Sequence, residues 1–158
     1  KSLREVSAIA GRARRAGKTV VTTNGCFDLI HVGHIRSLEQ AGSLGDILIV
    51  GINSDRSVRA NKGASRPIVP QDERAEVVAA LEPVDYVFIF NEKTPVRALG
   101  EIRPHKHVKG SGYSVDQIVE KDIVERHGGK IVLLKVVNGE STTGIIERVR
   151  QKLGRKKS

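Results

Sequence analysis

A chain of 158 residues and 17.2 kDa has the length of one ordinary domain. An apolar share of 39% supports a packed core, and 16 Gly with 5 Pro exclude a collagen-like or low-complexity chain. No apolar run approaches the length of about 18 residues that a transmembrane helix needs, and the start lacks a signal-peptide pattern. Lys and Arg number 27 against 18 Asp and Glu, a formal charge of +9. That excess favours anionic partners: nucleic acid, phosphorylated metabolites or acidic membranes. Part of it is terminal, in Arg12, Arg14, Arg15 and Lys18 and in Arg155, Lys156 and Lys157, and reads as a solvated helix face and a tail. The single Cys26 cannot form an internal disulfide, which fits a reducing cytoplasm. Met is absent even from position 1, so the chain is trimmed or part of something longer.

The pattern along the chain alternates between strand-like and helix-like segments. Ser2 with Glu5 resembles a capping box that opens a helix stopping near Gly17. Thr19 to Thr23 is a β-branched run, and a helix from about Gly33 to Leu44 carries Leu38, Ala41 and Leu44 on one face. Ile47 to Ile52 is a second apolar run, followed by an expected loop over 56–69. Pro70 leads into a helix with Val77, Val78 and Leu81. Tyr86 to Phe90 is a third strand, and Thr94-Pro95 reads as a cap with Pro at the first helical position. Val108 marks a short fourth strand, and a helix is expected from about Val115 to His127, stopped by Gly128-Gly129. Ile131 to Val137 is the fifth strand and Ser141 to Leu153 the last helix.

Five strands with intervening helices predict an α/β domain: a Rossmann-like, parallel five-stranded sheet with helices on both faces. The organisation expected is one domain over 1–158, with an N-terminal helix (1–17), a core (18–150) and a basic tail (151–158). Ligands of such sheets bind beyond the carboxyl ends of the strands, near the switch in strand order. After the first strand stands Asn24-Gly25-Cys26-Phe27-Asp28-Leu29-Ile30-His31-Val32-Gly33-His34, two histidines flanking a glycine where a helix begins. Unpaired N–H groups and a positive dipole end make a helix start a natural phosphate site. A metal site competes as the reading of the pair, but no third ligand stands at a recognisable spacing.

This stretch resembles the signature of the HIGH-type nucleotidyltransferases, with His-x-Gly-His after the first strand. The resemblance runs from about Lys18 to Arg150. It takes in Gly51-Ile52-Asn53-Ser54-Asp55, Lys62-Gly63, Arg66-Pro67, Glu73-Arg74, Val108-Lys109-Gly110 with Tyr113, and Ser141-Thr142-Thr143. The set is most similar to the heptose 1-phosphate adenylyltransferases. Two departures separate it from other branches. Leu29 and His31 stand where phosphopantetheine adenylyltransferases and their relatives usually carry Pro and Thr. The stretch Val136-Val137-Asn138-Gly139-Glu140-Ser141-Thr142 lacks the Arg that cytidylyltransferases usually carry there.

The resemblance implies transfer of AMP from ATP to D-glycero-β-D-manno-heptose 1-phosphate, giving ADP-heptose for lipopolysaccharide core synthesis. A sugar phosphate oxygen attacks the α-phosphorus and pyrophosphate leaves. The nucleophile is already ionised, so the protein must position the partners and stabilise charge. By resemblance His34, His31 and Lys62 are catalytic, His34 being the transition-state stabiliser. Asn24, Gly25, Cys26, Phe27, Gly33, Lys109 and Gly110 border the nucleotide. Ser141, Thr142 and Thr143 form a second phosphate cradle, although as a bare pattern they are only an N-cap. Asp28 orients the site, helps to place a metal, or merely stabilises a turn. Arg74 is a phosphate contact or a helix salt bridge with Asp72 or Glu73. His105, His107 and His127 are structural or exposed. Mg2+ is expected with ATP, without a firm protein ligand. A cytoplasmic homo-oligomer acting on ATP and a sugar 1-phosphate, without nucleic acid or membrane, is the expectation. The alternatives are a cytidylyltransferase using glycerol 3-phosphate or another acceptor, an inactive family member, and a basic nucleic-acid-binding module. The last has only 3 Phe and 2 Tyr for stacking and no reader motif.

Overall fold

The computed structural model describes residues 1–110, 114–134 and 141–154. Helix α1 (Leu3–Arg15) opens on the expected capping box: Glu5 N donates to Ser2 Oγ at 3.3 Å, and Ser2 N donates to Glu5 Oε2 at 2.7 Å. Then follow β1 (Val20–Gly25), α2 (Val32–Gly42), β2 (Ile47–Asn53), α3 (Asp55–Lys62) and α4 (Gln71–Ala79). The chain continues through β3 (Tyr86–Phe90), α5 (Val96–Ile102), β4 (Lys106–Lys109), α6 (Lys121–Arg126), β5 (Lys130–Leu133) and α7 (Thr142–Gly154).

The five strands are parallel in the order β3-β2-β1-β4-β5. The chain first builds outward from β1 through β2 to β3, then crosses to the other side of β1. The switch therefore falls between β1 and β4, with Thr23 opposite Val108. Alternation along the strands divides the core. Val21, Leu48, Val50 and Val87 face α2 and α4 through Leu38, Ala41 and Val78. Val20, Ile49 and Phe88 face α1 and α5 through Val6, Ala10, Ala98 and Ile102. Two covered faces explain why β2 and β3 read as near-continuous apolar runs.

Three elements differ from their sequence reading. Residues 55–62 form α3 rather than loop. Only Ser57 and Val58 of that helix are buried, so no apolar period announces it; Ser54, whose Oγ accepts from Ser57 N at 3.2 Å, is its cap. Pro95 itself is the N-cap of α5, and Thr94 lies outside with no side-chain cap. The helix expected over 115–127 splits into a 3-10 turn (Val115–Gln117) and α6, because Ile118 and Glu120 are drawn into the core between them. The continuation of the fifth strand to Val137, Tyr113 and the end of the basic tail lie outside the described residues.

Gly45 turns the chain from α2 into β2, and a Cβ there would lie 2.6 Å from Val21 Cγ2 and 2.8 Å from Thr19 O. Gly45→Ala is expected to destabilise the fold by about 1–3 kcal/mol. The measurement is a urea midpoint that falls at unchanged slope.

Candidate active site

The carboxyl end of β1 sets the site. Gly25 leaves room for the Phe27 ring, which a Cβ would approach to 3.0 Å. Phe27 takes a left-handed backbone (φ 47°), an unusual state for a large side chain. The bend turns Asp28 inward, where it is 3% exposed, and leads to His31 at the N-cap of α2. His31 makes no side-chain cap there. Its ring lies 3.8 Å from that of His34, with planes 31° apart, and Phe27 backs His34 at 5.3 Å. Gly33 sits between them in the first turn of α2. Burial lowers the His34 pKa to about 4, and the nearby His31 adds to that. His34 is therefore neutral at physiological pH. Its Nδ1 is buried without a hydrogen-bond partner among the described residues.

Opposite stands the N-terminus of α7. Ser141 Oγ accepts from Gly144 N at 3.0 Å, so this serine does cap the helix. Thr142 Oγ1 donates to Leu29 O at 3.2 Å and ties α7 to the loop that carries the histidines. Between the two helix starts lies a cleft of about 340 Å³. His31, His34, Cys26, Phe27 and Asp28 form one wall, and Ser141, Thr142 and Thr143 the other. Lys62, at the end of α3, and Arg66 complete it. Most of the sequence-nominated residues thus converge. Burial raises the Cys26 thiol pKa, which suits a packing role at the wall.

Asp28 is a clamp. It accepts from Ile68 N and Val69 N, each at 2.9 Å to Oδ1, and from Arg66 Nε at 2.5 Å to Oδ2. Both carboxylate oxygens are engaged, and no group of three metal-ligating side chains occurs among the described residues. Of the readings open to Asp28, it is the turn-holding one that these contacts describe. Arg66 is the cleft residue not nominated as a site from sequence; its only signal was a place in the Arg66-Pro67 step of the loop.

Arg74 does not line the cleft. It is 1% exposed, and its guanidinium donates to Val69 O, Cys26 O and Asn53 O and to Asp55 Oδ1 at 2.8 Å. The partners differ from the helix pairs expected with Asp72 or Glu73. Arg74 joins the ends of β1 and β2 to α3 and the 63–69 loop, behind the lining of the cleft. Lys109 also lies off the cleft. Its Nζ donates to Glu120 Oε1 at 2.7 Å and to Asn24 Oδ1 at 3.2 Å, joining β4 to β1 at the switch point. Gly110 follows it, exposed at the strand end. His107 is fully buried on β4, its Nδ1 2.8 Å from Thr22 Oγ1, with burial lowering its pKa to about 3.

A family model for cytidylyltransferase-like proteins matches residues 22–156. The chain belongs to the cytidylyltransferase-like family. It is 51% identical over 148 residues to the bifunctional protein HldE of Syntrophotalea carbinolica, covering 94% of this chain and 30% of that protein. The HldE protein of Geobacter sulfurreducens is 46% identical over 154 residues, covering 98% and 31%. The chain thus spans about a third of the length of these curated relatives. A crystal structure of the lipopolysaccharide core biosynthesis protein from Thermoplasma volcanium matches with a TM-score of 0.67 at 26% identity, over 77% of this chain and all of that one. A pantoate-beta-alanine ligase from Francisella tularensis, at 14% identity and a TM-score of 0.59, shares the fold over 88% of this chain and 67% of its own.

Arg74→Ala is expected to cost about 3–5 kcal/mol, because it strands buried carbonyls and the Asp55 carboxylate. Arg74→Lys is expected not to restore them, since an ammonium cannot span the same acceptors. Equilibrium unfolding measures both. In an NMR titration the His34 and His107 imidazoles are expected to stay neutral to about pH 4 and pH 3. Below about pH 6.5 the unfolded chain binds protons that these folded imidazoles do not, so stability falls as pH drops from 6.5 towards those values.

Proposed function

We propose that this chain is an adenylyltransferase that moves AMP from ATP to D-glycero-β-D-manno-heptose 1-phosphate, releasing pyrophosphate and ADP-heptose. The observation that carries the reading is the facing pair of helix starts: His31 and His34 on one side, Ser141, Thr142 and Thr143 on the other, with Lys62 and Arg66 between. The identity of 46–51% to HldE proteins over nearly the whole chain supports the acceptor and the nucleotide.

The chemistry needs charge placement rather than a strong base. An acceptor phosphate oxygen forms a bond to the α-phosphorus while the bridging bond to the β-phosphate breaks. The excess electron pair leaves on pyrophosphate. His34 donates a hydrogen bond to the phosphoryl oxygens, His31 and Lys62 share the triphosphate, and the α7 N–H groups face it. Asn24, Gly25, Phe27, Lys109 and Gly110 border the nucleotide around the β1/β4 switch. Asp28, its oxygens taken by the loop, supplies no free carboxylate to a cation. A divalent ion, Mg2+, then enters as the ATP complex, held by phosphate and water. The reaction belongs to the cytoplasm, where ATP and sugar phosphates are available.

The test is pyrophosphate release with ATP or CTP, each with heptose 1-phosphate or glycerol 3-phosphate. Turnover is expected only with ATP and heptose 1-phosphate, and His34→Ala is expected to lose about 10²–10³-fold in kcat. Turnover with CTP, or a variant as active as the parent, would overturn the assignment or the role of His34 respectively.

A further inference from the structure

A second cleft, of about 230 Å³, opens beside the first and shares Lys62, Arg66 and Thr143 with it. Its own walls differ in chemistry. The first cleft carries cations, hydroxyls and a carboxylate already tied up by its loop. The second adds Glu147 and Arg150 from α7 and the apolar pair Ile68 and Ile146. Ile68 is 52% exposed, an unusual place for an isoleucine whose backbone N–H is fixed by Asp28. A carboxylate repels phosphate but accepts hydrogen bonds from hydroxyl groups. An apolar patch suits the C–H face of a pyranose and not a phosphate. The volume lies below the ~300 Å³ at which drug-sized pockets begin, so it takes a small ligand.

Resting on the proposed transferase reading, we infer that the cleft between the 65–68 loop and α7 is the subsite for the polyhydroxylated ring of the acceptor. Glu147 accepts from ring hydroxyls, Arg150 donates to them, and Ile68 and Ile146 pack the ring. The shared Lys62 and Arg66 lie where the acceptor phosphate meets the nucleotide. The same loop that Asp28 clamps then decides which sugar fits.

The experiment is calorimetric titration of heptose 1-phosphate into protein loaded with a non-hydrolysable ATP analogue, for the parent, Glu147→Gln and Arg150→Ala. Both side chains are exposed, and a thermal melt of each variant is run alongside to check that it folds. Each variant is expected to weaken the acceptor about tenfold, the scale of one hydrogen bond to a charged group, while the Kd of the ATP analogue holds. Inorganic phosphate, titrated in parallel, is expected not to lose affinity in Glu147→Gln. Equal acceptor affinity in all three proteins, or equal loss for acceptor and nucleotide, overturns the subsite. Loss of phosphate affinity matching the acceptor's in Arg150→Ala makes the cleft an anion site only, which also overturns it. Selective acceptor loss without turnover of ATP and heptose 1-phosphate sinks the transferase reading alone. Turnover with unchanged acceptor affinity sinks the subsite alone.

Discussion

The Arg74 guanidinium, buried and saturated, is the constraint on which the site depends. Desolvating a cation costs several kcal/mol unless its donors are met. Here they are met by carbonyls at three different chain ends and by Asp55. Each acceptor belongs to a segment that would otherwise end in solvent: the bend after β1, the end of β2, the start of α3 and the loop before α4. The cost of burying one charge fixes four pieces of chain relative to one another. Asp28 repeats the device with the sign reversed, holding the 66–69 loop by two backbone N–H groups and Arg66. Both buried charges hold the segments that carry one side of the cleft, Asp28 from within its lining and Arg74 from behind it.

The surface of the cleft shows a division of labour. Permanent charge comes from Lys62 and from Arg66, the latter held by Asp28. His34 in its lining is held neutral by burial, and the neighbouring His31 adds to that. The N-terminus of α7 offers dipoles that need no counterion. The hydrogen bond from Thr142 Oγ1 to Leu29 O ties the start of α7 to the loop after β1.

Much of this was legible in the sequence, and the reasons differ by feature. The strands announced themselves because both faces are covered, leaving apolar runs such as Ile47–Ile52. The Ser2–Glu5 box and the Ser141 cap are local chemistry, written in residues three apart. The eleven-residue motif after β1 is local as well, and its histidines fell into one cleft. What escaped is long-range. Asp28 finds its partners forty residues on, and Arg74 finds Cys26 O across forty-eight. Neither separation leaves a periodic trace. Helix α3 escaped because its buried side is two residues wide. The break in the 115–127 helix escaped because Glu120 turns inward to meet Lys109, a contact that exists only once β4 is in the sheet.

The depressed basicity of His34 carries a consequence for how the cleft meets a ligand. Negative charge brought beside it would offset the desolvation and draw its proton affinity back upward. Occupancy is then coupled to proton capture from the medium. Affinity for a polyanion tightens as the solution becomes more acidic, within the range where the fold holds. The heat measured on binding depends on the ionisation enthalpy of the buffer that supplies the proton.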